Sequence, residues 1–223
     1  MDWFTSDTHF NHANVIVYCS RPFCDVEEMN RAMIERWNAR VGKDDTTYHL
    51  GDFALSNKAR IAEFRRALNG RIVLILGNHD RSRKAMLECG FDEAHEEGVY
   101  WSADHGEFLL HHEPLYVKGE SESILDLPER FAGHLCGHIH EKWAARVVQP
   151  YNRPVINVGV DQNNFQPITF EEALARPQRP SVSAGKLLKC RACPRTIAKA
   201  ESFENGCPKC GARETEPFSY EET

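Results

Sequence analysis

The sequence predicts an α/β layered fold. Short apolar runs alternate with amphipathic helical patterns through the first 175 or so of its 223 residues. Five of those runs end in a cluster of Asp, Asn or His, at the carboxyl ends of candidate strands where α/β sheets place their sites. Two CxxC pairs lie beyond a Pro- and Ser-containing stretch, which predicts a second, small unit.

The first run, "WFT" (3–5), leads into "SDTHFNH" (6–12). Asp7 and His9 are two apart, so a strand continuing through them points both side chains to one face. "EEMNRAMIERWNARVG" (27–42) spaces Met29, Met33, Trp37 and Val41 by four with Ile34 beside them, an amphipathic helix stopped at Gly42. "TTYHL" (46–50) is the next strand and runs into Gly51-Asp52. "SNKARIAEFRRALNG" (56–70) repeats the helical stripe through Ile61, Phe64 and Leu68, with Ser56 expected as N-cap and Asn69-Gly70 as the stop. "RIVLIL" (71–76) precedes Gly77-Asn78-His79-Asp80, and "EFLL" (107–110) precedes His111-His112. "FAGHLC" (131–136) precedes Gly137-His138-Ile139-His140, and "PVINVGV" (154–160) is the last buried-strand candidate.

Hydrophobic content of 41% and charged content of 27% suit a globular protein. No apolar run reaches the length of a membrane span, and Met1-Asp2 does not open a signal peptide, so cytoplasmic residence without a membrane partner is expected. The formal charge of −6 argues against nucleic acid coating the whole surface and leaves room for a local basic patch.

The polar side chains at the strand ends are Asp7, His9, Asp52, Asn78, His112, His138 and His140. Carboxylate, imidazole and amide oxygen suit Mn²⁺, Fe²⁺ or Zn²⁺ better than Ca²⁺ or Cu⁺. Seven donors exceed what one such ion needs, whereas two ions sharing a bridging carboxylate use them fully. Two ions about 3.5–4 Å apart can hydrolyse phosphate esters, lowering the pKa of a water and neutralising phosphoryl charge.

D-x-H, G-D, G-N-H-D, H-x-P and G-H-x-H, in that order and each after a strand, resemble the calcineurin-like metallophosphoesterase family. "DTHFNH", "YCSRPF", "YHLGD" and "NVGVDQNNFQP" are similar to its small bacterial and phage-encoded members. The resemblance implies a four-layer αββα sandwich over residues 1–175. It also implies a first metal on Asp7, His9, Asp52 and His140, and a second on Asp52, Asn78, His112 and His138. Asp52 would bridge the two ions. His79 would face the substrate as the other catalytic residue, protonating the leaving oxygen or stabilising the transition state while a metal-bridging hydroxide attacks. The family pattern puts a proline two residues after the ligand, which selects His112 over His111.

Other residues are candidates of lower rank. Asn11 and His12 follow the first motif and are candidates to contact substrate or a water behind the donors, and Arg21 in "SRPF" could hold a phosphate oxygen or form a surface salt bridge. Asp80 and Asp161 are expected to orient histidines, while His49, His95, His105 and His134 are expected to be structural or exposed. Cys136 reads as a buried small hydrophobe. "KGESESILDLPER" (118–130) is the candidate substrate loop. "GDFAL" lacks the Asp-Arg-Gly continuation of Ser/Thr protein phosphatases, which counts against a phosphoprotein substrate.

Residues 176–186 read as a linker and 187–223 as a zinc ribbon with an acidic tail. Cys190, Cys193, Cys207 and Cys210 are its four ligands, and 13 residues between the pairs allow a hairpin return. A unit this small needs the metal's binding energy to fold. From Ala173 to Ala200 every charged residue is basic, so nucleic acid is a candidate partner for this strip. The resemblance to small members of the family, which commonly hydrolyse diesters, implies a dinuclear phosphodiesterase acting on nucleotides, 2′,3′-cyclic ones among them. A phosphomonoesterase, a nuclease and a non-catalytic scaffold are the alternatives.

Overall fold

The computed structural model describes residues 1–115, 127–148 and 153–176, with three further short strands at 187–190, 197–199 and 215–217. The chain divides into two compact units, Met1–Arg179 and Pro180–Thr223.

In the first unit, one five-stranded sheet contains β1 (Asp2–Thr5), β2 (Thr46–His49), β3 (Arg71–Ile75), β4 (Glu93–His95) and β10 (Ile168–Thr169). Its order is β10-β1-β2-β3-β4, parallel from β1 to β4. The second sheet contains β5 (Gly98–Ser102), β6 (Gly106–Leu110), β7 (Phe131–Cys136), β8 (Ala145–Val148) and β9 (Arg153–Asn157). Its order is β5-β6-β7-β9-β8, with β6, β7 and β9 parallel. The apolar runs do not announce β4, β5, β8 or β10, which are short or lie at sheet edges.

Alternation along the strands supplies two cores. Trp3, Ile72 and Leu74 face α1 (Ala13–Tyr18), α2 (Val26–Arg40), α3 (Lys58–Ala67) and α4 (Arg83–Glu88), meeting Val15, Met29, Met33, Trp37, Ile61, Phe64 and Met86. Phe4, Leu50 and Ile75 point the other way and pack on Phe108, Leu110, Leu135 and Ile156 of the second sheet. Each such buried side chain contributes about 1.5–3 kcal/mol. The predicted stripes of α2 and α3 are the buried ones. The N-cap of α3 is Asn57, not Ser56, since Asn57 Oδ1 accepts the Arg60 amide at 3.0 Å. Ser56 Oγ is instead 3.3 Å from Asn11 Nδ2.

This is the mixed α/β, two-sheet arrangement that the sequence predicts. Among the described residues, no helix covers the outer face of the second sheet. Leu115, Leu127 and Trp143 pack there, and α5 (Phe170–Leu174) adds Phe170 and Ala173 to the core between the sheets. No helix of the described residues is long and apolar enough to cross a membrane.

In the second unit, β11 (Leu187–Cys190) lies between β12 (Ile197–Lys199) and β13 (Thr215–Pro217), antiparallel to both. Cys190 ends β11, while Cys193, Cys207 and Cys210 lie outside the described residues.

Candidate metal centre

The ends of β1, β2, β3, β6 and β7 converge, and all seven predicted donors stand there. They do not arrive by the pleat of a strand. β1 stops at Thr5, and Asp7 (φ 57°), His9 (φ 47°) and Asn11 (φ 64°) alternate into the left-handed region. Asp52 (φ 57°), His138 (φ 71°) and His140 (φ 47°) do the same. Asp, Asn and His tolerate this region better than most residues, yet each such site costs on the order of 1–3 kcal/mol. Strain so concentrated on candidate ligands marks a site that the surrounding fold holds in place. The loop after β1 runs along the loop after β2, with the Asp7, His9 and Phe10 amides each 2.9 Å from the carbonyls of Gly51, Asp52 and Phe53. Two motif glycines are required by close approach. A Cβ on Gly77 would fall on Asp52 Oδ1, and one on Gly137 would overlap Ser6 and stand 2.5 Å from Asp7 Oδ2.

The donors form two neighbouring sets, with the carboxylates of Asp7 and Asp52 standing within reach of both. Asp52 Oδ2 is 3.3 Å from His9 Nε2 and 3.5 Å from His112 Nε2, while Asp52 Oδ1 accepts the His79 amide at 2.9 Å. On one side, Asp7, His9 and His140 bring their donor atoms within 4.8 Å of one another. On the other, Asn78 Oδ1 is 3.1 Å from both His112 Nε2 and His138 Nδ1, and those two nitrogens are 3.3 Å apart. Both Asp7 carboxylate oxygens are 3.0 Å from the His138 amide, which ties the two sets together.

These residues fit divalent cations on an observation independent of motif. His9 Nε2 is buried, faces Asp52, and has no hydrogen-bond partner among the described residues. An unpartnered buried nitrogen is costly, and a cation between it and the carboxylate removes that cost. The rear nitrogens of two other histidines are already engaged. His112 Nδ1 donates to the Leu50 carbonyl at 2.7 Å and His140 Nδ1 to Asp161 Oδ2 at 2.9 Å, so each turns Nε2 inward.

Asp161 is in turn clamped by Arg21, whose Nε and Nη2 reach its two oxygens at 2.8 Å. The same guanidinium donates to the carbonyls of Asp7 (2.7 Å) and Thr8 (3.1 Å). Arg21 therefore fixes both the strained first loop and the carboxylate behind His140. This corrects the expectation of a phosphate contact, because the Arg21 side chain is 0% exposed and its donors are committed internally. Asp80 is a second correction. Its carboxylate accepts the amides of Asp52, Phe53 and Gly77 and so shapes the loops rather than orienting a histidine. Asp161 does orient one. His49 is buried against Thr8 Oγ1 at 3.0 Å, between the first two ligands, and the Thr8 hydroxyl donates to the Phe53 carbonyl at 2.8 Å.

Protonation follows from this crowding. Burial pushes the Asp52 carboxyl up, but the His112 and His9 imidazoles outweigh burial and hold it far below the carboxylate range. Burial lowers His112, yet hydrogen bonding to Asp52 and the charge of Asp7 raise it to about 9. Burial likewise opposes protonation of His140, and the Asp161 bond prevails, raising it to about 11. His138 is lowered, by burial and then by the His112 charge.

Of the remaining predicted residues, His112 rather than His111 enters the cluster; His111 Nδ1 pairs locally with the backbone of Glu113. His79 is exposed, with its ring 5.4 Å from that of His9. His12 is half-buried, beside His9. Asn11 is exposed and tied to Ser56 and to Asn30, whose side-chain oxygen is 2.9 Å from the Asn11 amide. His49, His134 and Cys136 are 0% exposed, as structural residues would be. Residues 118–126 of the expected substrate loop lie outside the described residues. The Arg21 clamp was hidden from sequence reasoning because its partners lie 14 and 140 positions away; the sole signal was an arginine within a family-like stretch.

An α/β fold with neighbouring strand-end sets of Asp, Asn and His defines a class of metal-dependent hydrolases. The chain matches the calcineurin-like phosphoesterase superfamily domain over residues 3–169 and belongs to that superfamily, which is hydrolytic and dinuclear metal-dependent. An uncharacterized protein of Methanocaldococcus jannaschii is 39% identical over 174 residues, covering 76% of this chain and 86% of that protein. The gene 66 protein of Mycobacterium phage L5 is 32% identical over 152 residues, covering 65% and 70%. The crystal structure of a protein of unknown function from Aquifex aeolicus superposes with a TM-score of 0.60 at 27% identity, covering 77% of this chain and 96% of that one.

Proposed function

We propose that the protein is a phosphodiesterase that hydrolyses nucleotide phosphodiesters, 2′,3′-cyclic ones among them, at a two-ion site. The observation that carries this reading is Asp52 Oδ2, which stands between His9 Nε2 (3.3 Å) and His112 Nε2 (3.5 Å) of the two donor sets. Asp7, His9, Asp52 and His140 would hold one ion, and Asp52, Asn78, His112 and His138 the other, with Mn²⁺ the best match to the mixed donors and Fe²⁺ or Zn²⁺ next. Such ions neutralise phosphoryl charge and lower the pKa of water. The retention of all seven donors weighs against a non-catalytic scaffold.

The chain's own residues supply the rest. His79 stands on the open side, its amide bonded to Asp52 Oδ1, and its imidazole carries a proton to the leaving oxygen. Arg21 and Asp161 hold His140 and the Asp7 loop without touching substrate. Residues 1–175 form the catalytic unit and 176–186 the linker. Residues 187–223 form a ribbon in which Cys190, Cys193, Cys207 and Cys210 bind one structural Zn²⁺, offering its basic strip to nucleic acid. The setting is cytoplasmic.

The test is a substrate panel run with Mn²⁺: cyclic and linear nucleotide diesters, monoesters, and single-stranded nucleic acid. Preferred turnover of small diesters is expected. Preference for monoesters or polymer would make the protein a phosphomonoesterase or nuclease, and no turnover of any would restore the scaffold.

A further inference from the structure

His12 lies outside both donor sets but touches one of their members. Its Nδ1 is 3.3 Å from His9 Nδ1, and the two rings are 5.2 Å apart. On its other sides the ring meets His79 at 6.3 Å and the exposed Tyr18 at 6.4 Å, edge-on. His12 thus stands between a buried ligand and the open face of the site.

The tautomers of the pair are linked. His9 Nε2 is the buried nitrogen that faces Asp52 without a hydrogen-bond partner. When that nitrogen gives its lone pair to a cation, the ring's proton resides on Nδ1. A ligating imidazole needs an acceptor for that N–H, and His12 Nδ1 is the atom facing it. His12 Nδ1 is then spent as an acceptor. Its proton is left on Nε2, across the ring from His9.

We infer that His12 is a two-sided residue. Through Nδ1 it positions His9 for the first ion, and through Nε2–H it donates a hydrogen bond to a phosphoryl oxygen of the substrate beside His79. A neutral donor suits an oxygen that stays anionic throughout the reaction, while His79 serves the leaving oxygen. The assignment rests on the two-ion reading above. It also explains why an imidazole, and not a lysine or arginine, follows the first motif: the two sides need one acceptor and one donor, and lysine and arginine offer donors alone.

The experiment uses the full chain loaded with diamagnetic Zn²⁺, with long-range ¹H–¹⁵N correlation of the histidine rings. The wild type should bind two ions at the site, with His12 in the Nε2–H form. His12→Phe, which keeps a ring against Tyr18, should weaken one of the two ions about 10–100-fold. With both ions saturated, the same variant should bind inorganic phosphate about 10-fold more weakly. His12→Gln, which retains an acceptor and a donor, should recover part of both losses. An Nδ1–H tautomer with both ions bound would overturn the His12 role and leave the two-ion reading intact. So would unchanged phosphate affinity in a folded His12→Phe. A wild type that takes up no ions at the site would overturn both.

Discussion

Asp7, His9 and Asp52 are at most 2% exposed, whereas Asn78 and His79, one loop away, are open to solvent and His138 is half-buried. The two sides of the site also differ in what stands behind them. Behind the first set are Arg21, Asp161, Thr8 and His49, all bonded inward and to one another or to loop carbonyls. Asn78 Oδ1, in contrast, meets only His112 and His138 among the described residues. Asn78 and His79 face the entrance, while His112, of the same set as Asn78, is buried and anchored on the Leu50 carbonyl. On the two-ion reading, the first ion would lean on Arg21 and Asp161 behind His140, and the second on the Leu50 carbonyl behind His112.

Breaking the shared member should erase the comparison. Asp52→Asn is expected to weaken both ions and to lower turnover by more than about 100-fold, exceeding the cost of an outer partner. Asn78→Ala should weaken the second ion alone. Metal stoichiometry by atomic emission distinguishes the two variants. Equal loss of both ions in Asn78→Ala would dissolve the asymmetry.

The next effect is indirect. Arg21→Met and Asp161→Asn should each weaken the first ion about 10–100-fold while sparing the second. The double variant should cost little more than Arg21→Met alone, because Asp161 acts through His140 whereas Arg21 also holds the Asp7 and Thr8 carbonyls. Arg21→Lys should rescue poorly, since an ammonium cannot span Asp161 and two carbonyls at once. Unchanged affinity for the first ion would reduce the clamp to a packing feature.

A smaller and more selective effect is expected at the entrance. His79→Ala should leave both ions bound and slow nucleoside diesters about 10²–10⁴-fold. Nitrophenyl diesters, whose leaving group needs no proton, should be comparatively spared. Equal loss on both would make His79 a phosphate-binding residue. The smallest effect should come from ending the chain at Arg179, the boundary of the first compact unit. Hydrolysis of a small diester should persist, because no donor lies beyond that point; its loss would make the second unit part of the catalytic one.

The sequence made the cluster of candidate donors legible because each donor carries its own short motif. It made the helices legible because Met29, Met33, Trp37 and Val41 repeat at helical spacing. It misled on the local backbone. Asp7-Thr8-His9 reads as a strand by spacing, whereas the chain alternates into left-handed φ values held by distant contacts with Gly51, Asp52, Gly137 and Arg21. Arg21 misled in the other direction. An arginine near a phosphate site invites a substrate contact, but its partners come from a loop about 140 residues away and from carbonyls with no sequence signature. Edge strands such as β5 escaped because Val99 and Trp101 face outward and blur the alternation. Burial that depends on distant chain segments is not written locally.

The most direct test of the two-ion centre is calorimetric titration of the metal-stripped protein with Mn²⁺ near pH 7, with diester hydrolysis followed in parallel. His112 and His140 are raised to about 9 and about 11, so both carry a proton before metal arrives and must release it to bind. The sign is fixed: affinity should rise with pH as each histidine loses its proton, His112 near about 9 and His140 near about 11. The account predicts two ions bound at the catalytic centre, about two protons released, and hydrolysis that appears only as the second ion binds. Full hydrolysis by the metal-stripped protein, or full turnover with one ion bound, would contradict it.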